Sequence, residues 1–416
     1  MKILVVGGGG REHAIVHKLS QSPKVDKIYC APGNAGISQL ADCIDINVSN
    51  IDELKRFALM SGIDITVVGP EVPLIQGIVD EFENAGLKIF GPRSAAAAIE
   101  GSKNFSKCLL QKYNIPTGRY KAFNKYEEAL KFLKEIWYPV AVKADGLAQG
   151  KGVFLVKSFT EAKEAIDLMM KEKIFGTSGD TIIIEEMLFG KEVSVLAFTD
   201  GETIVPMISA MDYKKIYEGD KGPNTGGMGN VAPNPYFDEK LQVEVMEKIL
   251  KPVINSLRKE GIEYKGVLYA GLMLTREGPK VLEFNARFGD PETQVILPLL
   301  KTDLVDIMEA IIDGNLNKVN IEWEDKKAVC VVAASEGYPG KYVTGFEITG
   351  FDDLKDVFVY HAGSALKNGK IVTSGGRVLA LTALGNSYDE ARKKVYKELK
   401  KINFKGMYYR KDIGIV

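Results

Sequence analysis

Histidine is scarce in this sequence, with only three among 416 residues. There is no H-E-x-x-H motif and no nucleophile elbow, and three histidines offer no plausible catalytic triad. His13 and His17 lie four residues apart on a predicted helix, a spacing that suits a metal, but no third ligand is evident. We therefore expect a packing or solvated role for both.

A surplus of one charge, closely spaced cysteines and long apolar runs are also lacking. Lysine plus arginine total 54 against 55 for aspartate plus glutamate, which argues against nucleic acid as the main partner. The apolar run before the first glycines is too short for a signal peptide, and no stretch approaches transmembrane length. We expect a cytoplasmic protein with no membrane partner. The cysteines, expected as small core residues because they lack zinc or redox spacing, are Cys30, Cys43, Cys108 and Cys330.

The first hundred residues alternate between strand and helix patterns. Apolar residues at helical spacing make residues 51–60 the clearest helix. Such βαβ alternation predicts a parallel sheet with helices on both faces. The predicted strands are residues 2–6, 27–31, 63–68 and 87–90.

The rest of the chain has a mixed α+β pattern, and the total length suggests about three domains. Hairpin-like strands with glycine turns are followed by helices. From residue 328 onward the pattern changes again, to strand-like apolar runs and one helix. The predicted strands are residues 140–143, 153–156, 182–186 and 192–198. The predicted helices are residues 102–112, 160–171, 239–259 and 388–400.

The first glycine cluster, "VVGGGGREHA", stands between a strand and a helix. A dinucleotide fingerprint G-x-G-x-x-G would need a third glycine where this chain has Glu12 or His13, so neither frame fits. A strand–glycine–helix turn still presents N–H groups and a helix N-terminus to an anion. The pattern favours an anion-binding turn, with a purely structural turn as the alternative.

A second glycine-rich segment, "VKADGLAQGKGVFLV", lies between two predicted strands. It is not a Walker loop, because three residues separate its glycines and Gly152 follows the lysine. With Lys143 at its base and Lys151 at its tip, such a hairpin can fold over a polyphosphate. Its alternative is an ordinary turn.

The densest group of chemically active residues is "VLEFNARFGDPETQ", residues 281–294. On a strand, Glu283, Asn285 and Arg287 alternate and share one face. A carboxylate and an amide oxygen suit Mg²⁺, and a guanidinium binds phosphate oxygens bidentately. The alternative is a structural salt-bridge network. Together with "GPNTGGMG", residues 222–229, this segment predicts a site for phosphoryl transfer by positioning and charge stabilisation.

These segments resemble the ATP-grasp superfamily and, within it, the phosphoribosylamine–glycine ligase family of purine biosynthesis. The resemblance also covers "VVGPEVPL", "EGSK", "LYAGLM" and "GGRVLALTALG", and thus nearly the whole chain. It implies an α/β and α+β multidomain fold with three parts. These are a Rossmann-like preATP-grasp domain (1–102), a two-part ATP-grasp domain (103–325, with a mobile lid at about 120–190) and a small C-terminal α+β domain (326–416).

The resemblance implies the following nucleotide and metal contacts. Lys103 and Lys143 would contact the ATP phosphates, and Arg287 would act with Lys143 in catalysis. Glu283 and Asn285 would ligate Mg²⁺ or Mn²⁺. The remaining nucleotide-binding residues are the covering loop Asp145, Gly146, Gly150, Lys151 and Gly152, the hinge Glu185, Glu186 and Leu188, and Glu192 on the ribose.

The implied reaction joins glycine to 5-phosphoribosylamine through a glycyl phosphate, giving glycinamide ribonucleotide, ADP and phosphate. The protein is expected to be a monomer. Where many ATP-grasp enzymes have a further acidic metal ligand, this chain has Ala270, Gly271 and Leu272. The implied substrate-binding residues are Gly9, Gly10, Asp212, Asn224, Thr225, Gly226, Gly227, Met228, Asp290, Pro291 and Glu292.

Three other interpretations of these residues compete with this one. Another ATP-grasp carboxylate–amine ligase is disfavoured by the "GDPET" and "GPNTGGMG" loops, and an NAD oxidoreductase by Glu12 or His13 at the third glycine position. The third is a non-catalytic nucleotide-binding module, which would not need all of Lys143, Glu283, Asn285 and Arg287.

Overall fold

The computed structural model describes residues 1–148 and 152–416. The first part is a five-stranded parallel sheet, as its βαβ pattern predicts. Along Lys2–Gly7, Ile3 and Val5 enter one core cluster and Leu4 and Val6 another, so both faces of the sheet are covered. The four predicted strands are confirmed, and a short edge strand is added. In spatial order the strands are Asp42–Cys43, Lys27–Pro32, Lys2–Gly7, Ile65–Val68 and Ile89–Phe90.

Five helices connect or follow these strands. The predicted helix at 51–60 is confirmed as Ile51–Ser61, where Asn50 accepts a hydrogen bond from the Glu53 amide and Gly62 ends the helix in the left-handed region. The helices are Gly10–Leu19, Ile51–Ser61, Glu71–Ile75, Ile78–Asn84 and Ser94–Gly101.

A four-stranded antiparallel sheet follows, which we call the lid sheet. It has an apolar core of its own, formed with the helices Tyr126–Leu133 and Phe159–Ile166. The second helix continues as a π-helical turn, Asp167–Lys171, so the helix predicted at 160–171 is confirmed. In spatial order the strands are Tyr120–Phe123, Ile182–Glu186, Val140–Ala144 and Val153–Val156.

A second antiparallel sheet, the central sheet, carries the "LEFN" segment. Glu283 lies opposite Gly271 in the register, and the pairing shifts by one residue between Gly271 and Leu272. In spatial order its strands are Ile204–Pro206, Lys191–Thr199, Gly266–Thr275 and Gly278–Asn285. The accompanying helices are Lys103–Lys112, Glu239–Val245, Lys251–Lys259, Thr293–Ile296 and Leu304–Ile312, with a π-helical turn, Met246–Leu250, joining the second and third.

The last sheet, the C-terminal sheet, includes two strands from the middle of the chain. Met211–Asp212 and Gly229–Ala232 pair with one another, and the second pairs with Lys327–Ser335. The "GPNTGGMG" loop is therefore fixed beside the last part of the chain, a placement that the sequence pattern did not predict. The other strands are Arg377–Gly385, Phe358–His361 and Met407–Tyr408. The helix Tyr388–Leu399 packs on Lys327–Ser335 and Arg377–Gly385.

Two small hairpins complete the described strands: Lys215–Tyr217 with Lys221–Asn224, and Ser364–Lys367 with Lys370–Thr373. The mixture of a parallel α/β sheet with antiparallel α+β sheets confirms the predicted fold class. Within residues 1–148 and 152–416, no helix has the length and apolar character needed to cross a membrane.

Candidate active site

The first glycine turn is closed by Glu12. The Gly9 amide donates a hydrogen bond to Glu12 Oε2 at 2.6 Å, and the helix begins at Gly10. The Glu12 side chain fills the space between the ends of two parallel strands, because a Cβ on Gly7 or Gly69 would overlap it. The residue that breaks the dinucleotide fingerprint is thus buried as part of the turn.

The same turn lies against residues 290–294. A Cβ on Gly9 would lie 3.6 Å from Asp290 Oδ2, and one on Gly10 would lie 2.7 Å from Gln294 Nε2. Three residues with an implied substrate role, Gly9, Gly10 and Asp290, are therefore close together in space.

Arg377 joins this region to the "GPNTGGMG" loop. Its guanidinium lies 3.2 Å from Asp290 Oδ1 and donates a hydrogen bond of 2.6 Å to the Gly226 carbonyl. A Cβ on Gly227 would overlap Pro291, so the two loops are in close contact. Sequence reasoning missed Arg377, although it lies in "GGRVLALTALG", a segment noted for its resemblance.

The other residues of the "GPNTGGMG" loop differ in what they present. Thr225 donates through Oγ1 to the Lys214 carbonyl at 2.8 Å and accepts from the Gly227 amide at 2.9 Å. Asn224 is exposed at the end of a hairpin strand. The Met228 side chain is buried in a small apolar cluster with Ile216, and its amide and carbonyl are bonded to the backbone of Tyr213 and Val332.

Beside these loops lies a buried group of hydroxyls and carboxylates. Tyr269 and Ser194 both donate to Glu292 Oε1, at 2.7 and 3.0 Å. Asp212 Oδ1 is buried with no hydrogen-bond partner among the described residues. Burial, and then the nearby Glu292, raise the pKa of Asp212 well above its usual value.

A small pocket opens next to Asp212, and a lysine that the sequence analysis missed lies in it. Lys214 Nζ is 2.9 Å from Glu192 Oε2. The lining residues also include Ser194, Gly271 and Leu272. Glu192, implied as a ribose contact, therefore faces an ammonium group that also lies close to Asp212 and Glu283.

Three lysines from different parts of the chain lie near Glu283. Burial alone would raise the pKa of Glu283. The ammonium groups of Lys214, Lys103 and Lys143 outweigh that effect and hold the pKa below its ordinary value. Lys143 comes from the lid sheet, and Lys103 begins the helix Lys103–Lys112. The lid and central sheets therefore present their charged groups to one another.

Lys143 is also paired with Glu185, which the resemblance assigns to the hinge. Lys143 Nζ lies 2.6 Å from Glu185 Oε2, and Lys107 is paired with the other carboxylate oxygen. Glu186, the next hinge residue, pairs with Arg119 at 2.8 Å, and Leu188 is half-buried just beyond the strand. The Glu185 side chain thus faces lysines, a contact that the resemblance did not imply.

Asp145 anchors the first residues of the covering loop. Its carboxylate accepts from Ser102 Oγ at 3.0 Å and from the Asn104 amide at 2.6 Å, at the start of the helix Lys103–Lys112. Lys103 Nζ donates to the Gly146 carbonyl at 3.1 Å, and the Gly152 carbonyl accepts from the Ala144 amide at 2.9 Å. Of the implied loop contacts, Gly150 and Lys151 lie outside the described residues.

Arg287 takes part in an ion-pair network. It lies 2.8 Å from Glu100 and 3.3 Å from Glu71, and it donates to Asn285 Oδ1 at 3.3 Å. The strand ends at Asn285, so the expectation that Arg287 continues its alternation is wrong. Its bond to Asn285 nevertheless keeps the two side chains together. The ion pairs with Glu71 and Glu100 also form a structural salt-bridge network, which is the alternative interpretation of this segment.

Glu283 and Asn285 offer a carboxylate and an amide oxygen, the hard donors that Mg²⁺ and Mn²⁺ take. Gly271 lies opposite Glu283 and brings no second carboxylate. Among residues 1–148 and 152–416 there is no group of three or more histidines, cysteines, aspartates or glutamates that could hold a metal. The donor set therefore fits a cation whose remaining ligands come from nucleotide phosphates and water.

The two N-terminal histidines pack against the C-terminal sheet. His13 Nδ1 accepts a hydrogen bond of 2.8 Å from the His361 amide, and the His17 ring lies edge-on to Phe358 with centroids 5.4 Å apart. The packing role expected for them is confirmed.

Comparison with known proteins identifies the family. Three phosphoribosylglycinamide synthetase models match in succession: the N domain over residues 1–100, the ATP-grasp (A) domain over 101–293 and the C domain over 328–416. The phosphoribosylamine–glycine ligase of Caldanaerobacter subterraneus subsp. tengcongensis is 69% identical over 414 residues, or 100% of this chain and 99% of that protein. The chain belongs to the phosphoribosylglycinamide synthetase family.

Solved structures agree with this membership. The crystal structure of phosphoribosylamine–glycine ligase from Thermotoga maritima has a TM-score of 0.88 and 34% identity, across 99% of this chain and 100% of that one. The biotin carboxylase domain of the Hydrogenobacter thermophilus 2-oxoglutarate carboxylase has a TM-score of 0.74 across 98% of this chain and 91% of that one. At 17% identity, it shows a shared fold only. As a member of the phosphoribosylglycinamide synthetase family, the chain is a ligase with an ATP-grasp domain.

Proposed function

We propose that this chain joins glycine to 5-phosphoribosylamine at the expense of ATP, giving glycinamide ribonucleotide, ADP and phosphate in purine biosynthesis. The observation that carries this proposal is the ring of lysines around Glu283, next to the pocket that holds Asp212 and Lys214. Lysines suited to binding the ATP phosphates thus lie beside groups suited to binding a small substrate. A ligase that first phosphorylates a carboxylate requires this arrangement. Family membership and the 69% identical relative support the same reaction.

ATP would lie between the lid and central sheets. Lys103 and Lys143 would bind its phosphates, with residues 145–152 covering them. The backbone of residues 185–188 would frame the adenine, because the Glu185 side chain is already paired with two lysines. Glu283 and Asn285 would hold Mg²⁺ or Mn²⁺, which would supply positive charge to the phosphates.

The chemistry needs two steps. A glycine carboxylate oxygen attacks the γ-phosphorus, the bond to the β–γ bridging oxygen breaks, and ADP leaves. The amine nitrogen then attacks the acyl carbon of glycyl phosphate, the carbon–oxygen bond to phosphate breaks, and the nitrogen loses a proton to solvent. Arg287 would stabilise charge on the transferring group, and an amine nucleophile needs little help from a base.

The amine substrate would occupy the region shared by the three domains, for which we propose the boundaries 1–102, 103–325 and 326–416, with a lid at about 120–190. Gly9 and Gly10 would bind its 5′-phosphate, next to Asp290. The implied contacts of Asp212, Glu292, Pro291 and residues 224–228 belong to this proposal. So do a cytoplasmic location and a monomeric state, with no nucleic acid as a partner.

ADP release tests the function directly. It is measured with ATP, Mg²⁺, glycine and phosphoribosylamine together, and again with each omitted in turn. We expect full turnover only in the complete mixture, with little release when the amine is absent. Turnover that proceeds equally with an unrelated carboxylate or amine would favour a different ATP-grasp ligase.

A further inference from the structure

A chain of buried polar groups lies behind Lys143 and has no part in the mechanism above. Lys107 is 3% exposed and Glu185 is 2% exposed, and the two are directly paired. Glu185 Oε2 is 2.6 Å from Lys143 Nζ, so one carboxylate lies between two ammonium groups. Burying three charged groups is costly without a role or close pairing, which makes this cluster notable.

Lys107 also connects the two sheets that face the proposed nucleotide. Its Nζ donates to Thr117 Oγ1 at 2.6 Å, and Thr117 Oγ1 donates to the Val281 carbonyl at 2.7 Å. Val281 belongs to the strand Gly278–Asn285 of the central sheet, whereas Glu185 belongs to the strand Ile182–Glu186 of the lid sheet. Lys107 is therefore bonded directly to the lid sheet and, through Thr117, to the central sheet.

The charges of this cluster bear on Lys143. With Glu185 alone, the charge of Lys143 would be cancelled by a buried carboxylate, and a phosphate would compete with that carboxylate for the ammonium group. Because Lys107 shares the carboxylate, the cluster keeps a net charge of +1. Burial lowers the pKa of Lys107 to about 8, against the opposing effect of Glu185, as expected where ammonium groups are crowded out of water.

We propose that Lys107 is a positioning residue which, through Glu185, holds Lys143 in place and leaves its positive charge available to the nucleotide phosphates. This inference rests on the phosphate-binding role proposed for Lys143. It assigns Lys107 no contact with the substrate.

The test compares nucleotides with and without phosphates. We expect Lys107→Met to weaken equilibrium binding of ATP with Mg²⁺ at least tenfold. The inhibition constant of adenosine against ATP should change less than twofold. Lys107→Arg, which keeps the charge, should bind ATP within about threefold of the wild type. The matched control is Lys112→Met, an exposed lysine on the same helix, and it should leave both values unchanged.

A double variant separates shared charge from simple packing. Lys107→Met/Glu185→Gln removes the competing carboxylate as well, so we expect ATP affinity to recover at least threefold relative to Lys107→Met. If Lys107→Met does not fold, the double variant and Lys107→Arg decide, since both keep the net charge of the cluster at +1. Equal losses for ATP and adenosine, or ATP affinity in the double variant far below that of Glu185→Gln alone, would overturn the proposal. Because binding is read without glycine or amine, a wild-type chain that binds ATP but makes no product would contradict the proposed function instead.

Discussion

At the scale of one residue, Arg287 belongs to an ion-pair network and is also the residue proposed to stabilise the transferring group. Glu71 and Glu100 hold its guanidinium, and its pKa is raised above the ordinary arginine range because these carboxylates outweigh the effect of burial. The planar group is thereby fixed beside Asn285 before any ligand arrives. Preorganised donors of this kind stabilise charge without the cost of reorientation.

Replacement of Arg287 by lysine tests that role. Lysine keeps the charge but loses the planar fork that holds two phosphoryl oxygens. We therefore expect the activation free energy of turnover to rise by about 2–4 kcal/mol. ATP affinity should stay within a few-fold of the wild-type value. Steady-state turnover and ATP titration measure the two effects. The control is Arg258→Lys on an exposed helix face, and retention of more than about a tenth of wild-type turnover by Arg287→Lys would contradict the proposed role.

Glu283→Gln tests the metal site in the same way. The substitution keeps the shape but removes the only charge that the chain itself is proposed to give the cation, so the magnesium concentration for half-maximal activity should rise about tenfold or more. The thermal midpoint should move little in comparison. Magnesium titration at fixed ATP provides the measurement, and Glu277→Gln on an exposed turn is the matched control. An unchanged half-saturation point would show that Glu283 is not a ligand.

The residues that sequence reasoning found and missed differ in a physical way. Glu283 and Asn285 are neighbours in one short segment, so strand alternation alone predicts that they share a face. Lys107, Lys214 and Arg377 pair with residues far away in the sequence, namely Glu185, Glu192 and Asp290. Two of them left a signal in the sequence: Lys107 follows Lys103 by one helical turn, and Arg377 lies in "GGRVLALTALG".

At the scale of elements, local patterns predict strands and helices better than they predict sheets. The first strand and the amphipathic helix at 51–60 were predicted to within one or two residues. Their apolar patterns depend only on residues that are close in the sequence. The pairing of Gly229–Ala232 with a strand about a hundred residues later was not predicted, because the two strands are far apart in the sequence. That pairing places the "GPNTGGMG" loop next to Asp290.

The glycine turn is the element whose role is easiest to test. Gly10→Asp would place a carboxylate where the substrate phosphate is proposed to approach the helix N-terminus. We expect the Michaelis constant for phosphoribosylamine to rise at least about thirtyfold, while those for ATP and glycine change less than about threefold. Initial-rate kinetics in each substrate measure this.

Gly10→Ala is the matched control for bulk. Its Cβ would press on the Gln294 amide, the far end of a flexible side chain, but it adds no charge. A small effect of alanine with a large effect of aspartate supports phosphate binding. Equal impairment of all three substrates by both variants would show that the turn serves folding only.

At the scale of the whole molecule, the C-terminal sheet lies against the first helix and its glycine turn. Asn34 donates to the carbonyls of Gly8 and His361, at 2.9 and 2.8 Å. Thr382 of the same sheet donates to the Gln294 carbonyl at 2.9 Å, close to Gly10. The C-terminal sheet therefore supports the turn proposed to bind the substrate phosphate, although most of its residues lie outside the pocket.

This interface makes stability depend on pH through His13. Burial, and then the nearby His361 and His17, lower the pKa of His13 to about 3, and its Nδ1 accepts the His361 amide hydrogen. At pH 5 the folded protein leaves this ring neutral, whereas the unfolded chain, with a pKa of about 6.5, binds the proton. Stability is therefore lost as the pH falls from about 6.5 toward 3, by about 1.4 kcal/mol per pH unit for one histidine.

His13→Gln removes the titrating ring and keeps an acceptor for the His361 amide. We expect the wild-type protein to lose about 2 kcal/mol more than the variant between pH 7 and pH 5, because only the wild type has this site for the unfolded chain to protonate. Calorimetric unfolding of both proteins at the two pH values gives the comparison. The variant is expected to be less stable at pH 7, where the packing of His13 against Tyr360 is lost, and to approach the wild type at pH 5. Parallel losses in the two proteins would mean that His13 is not held neutral by the interface, and that the acid sensitivity of the molecule arises elsewhere.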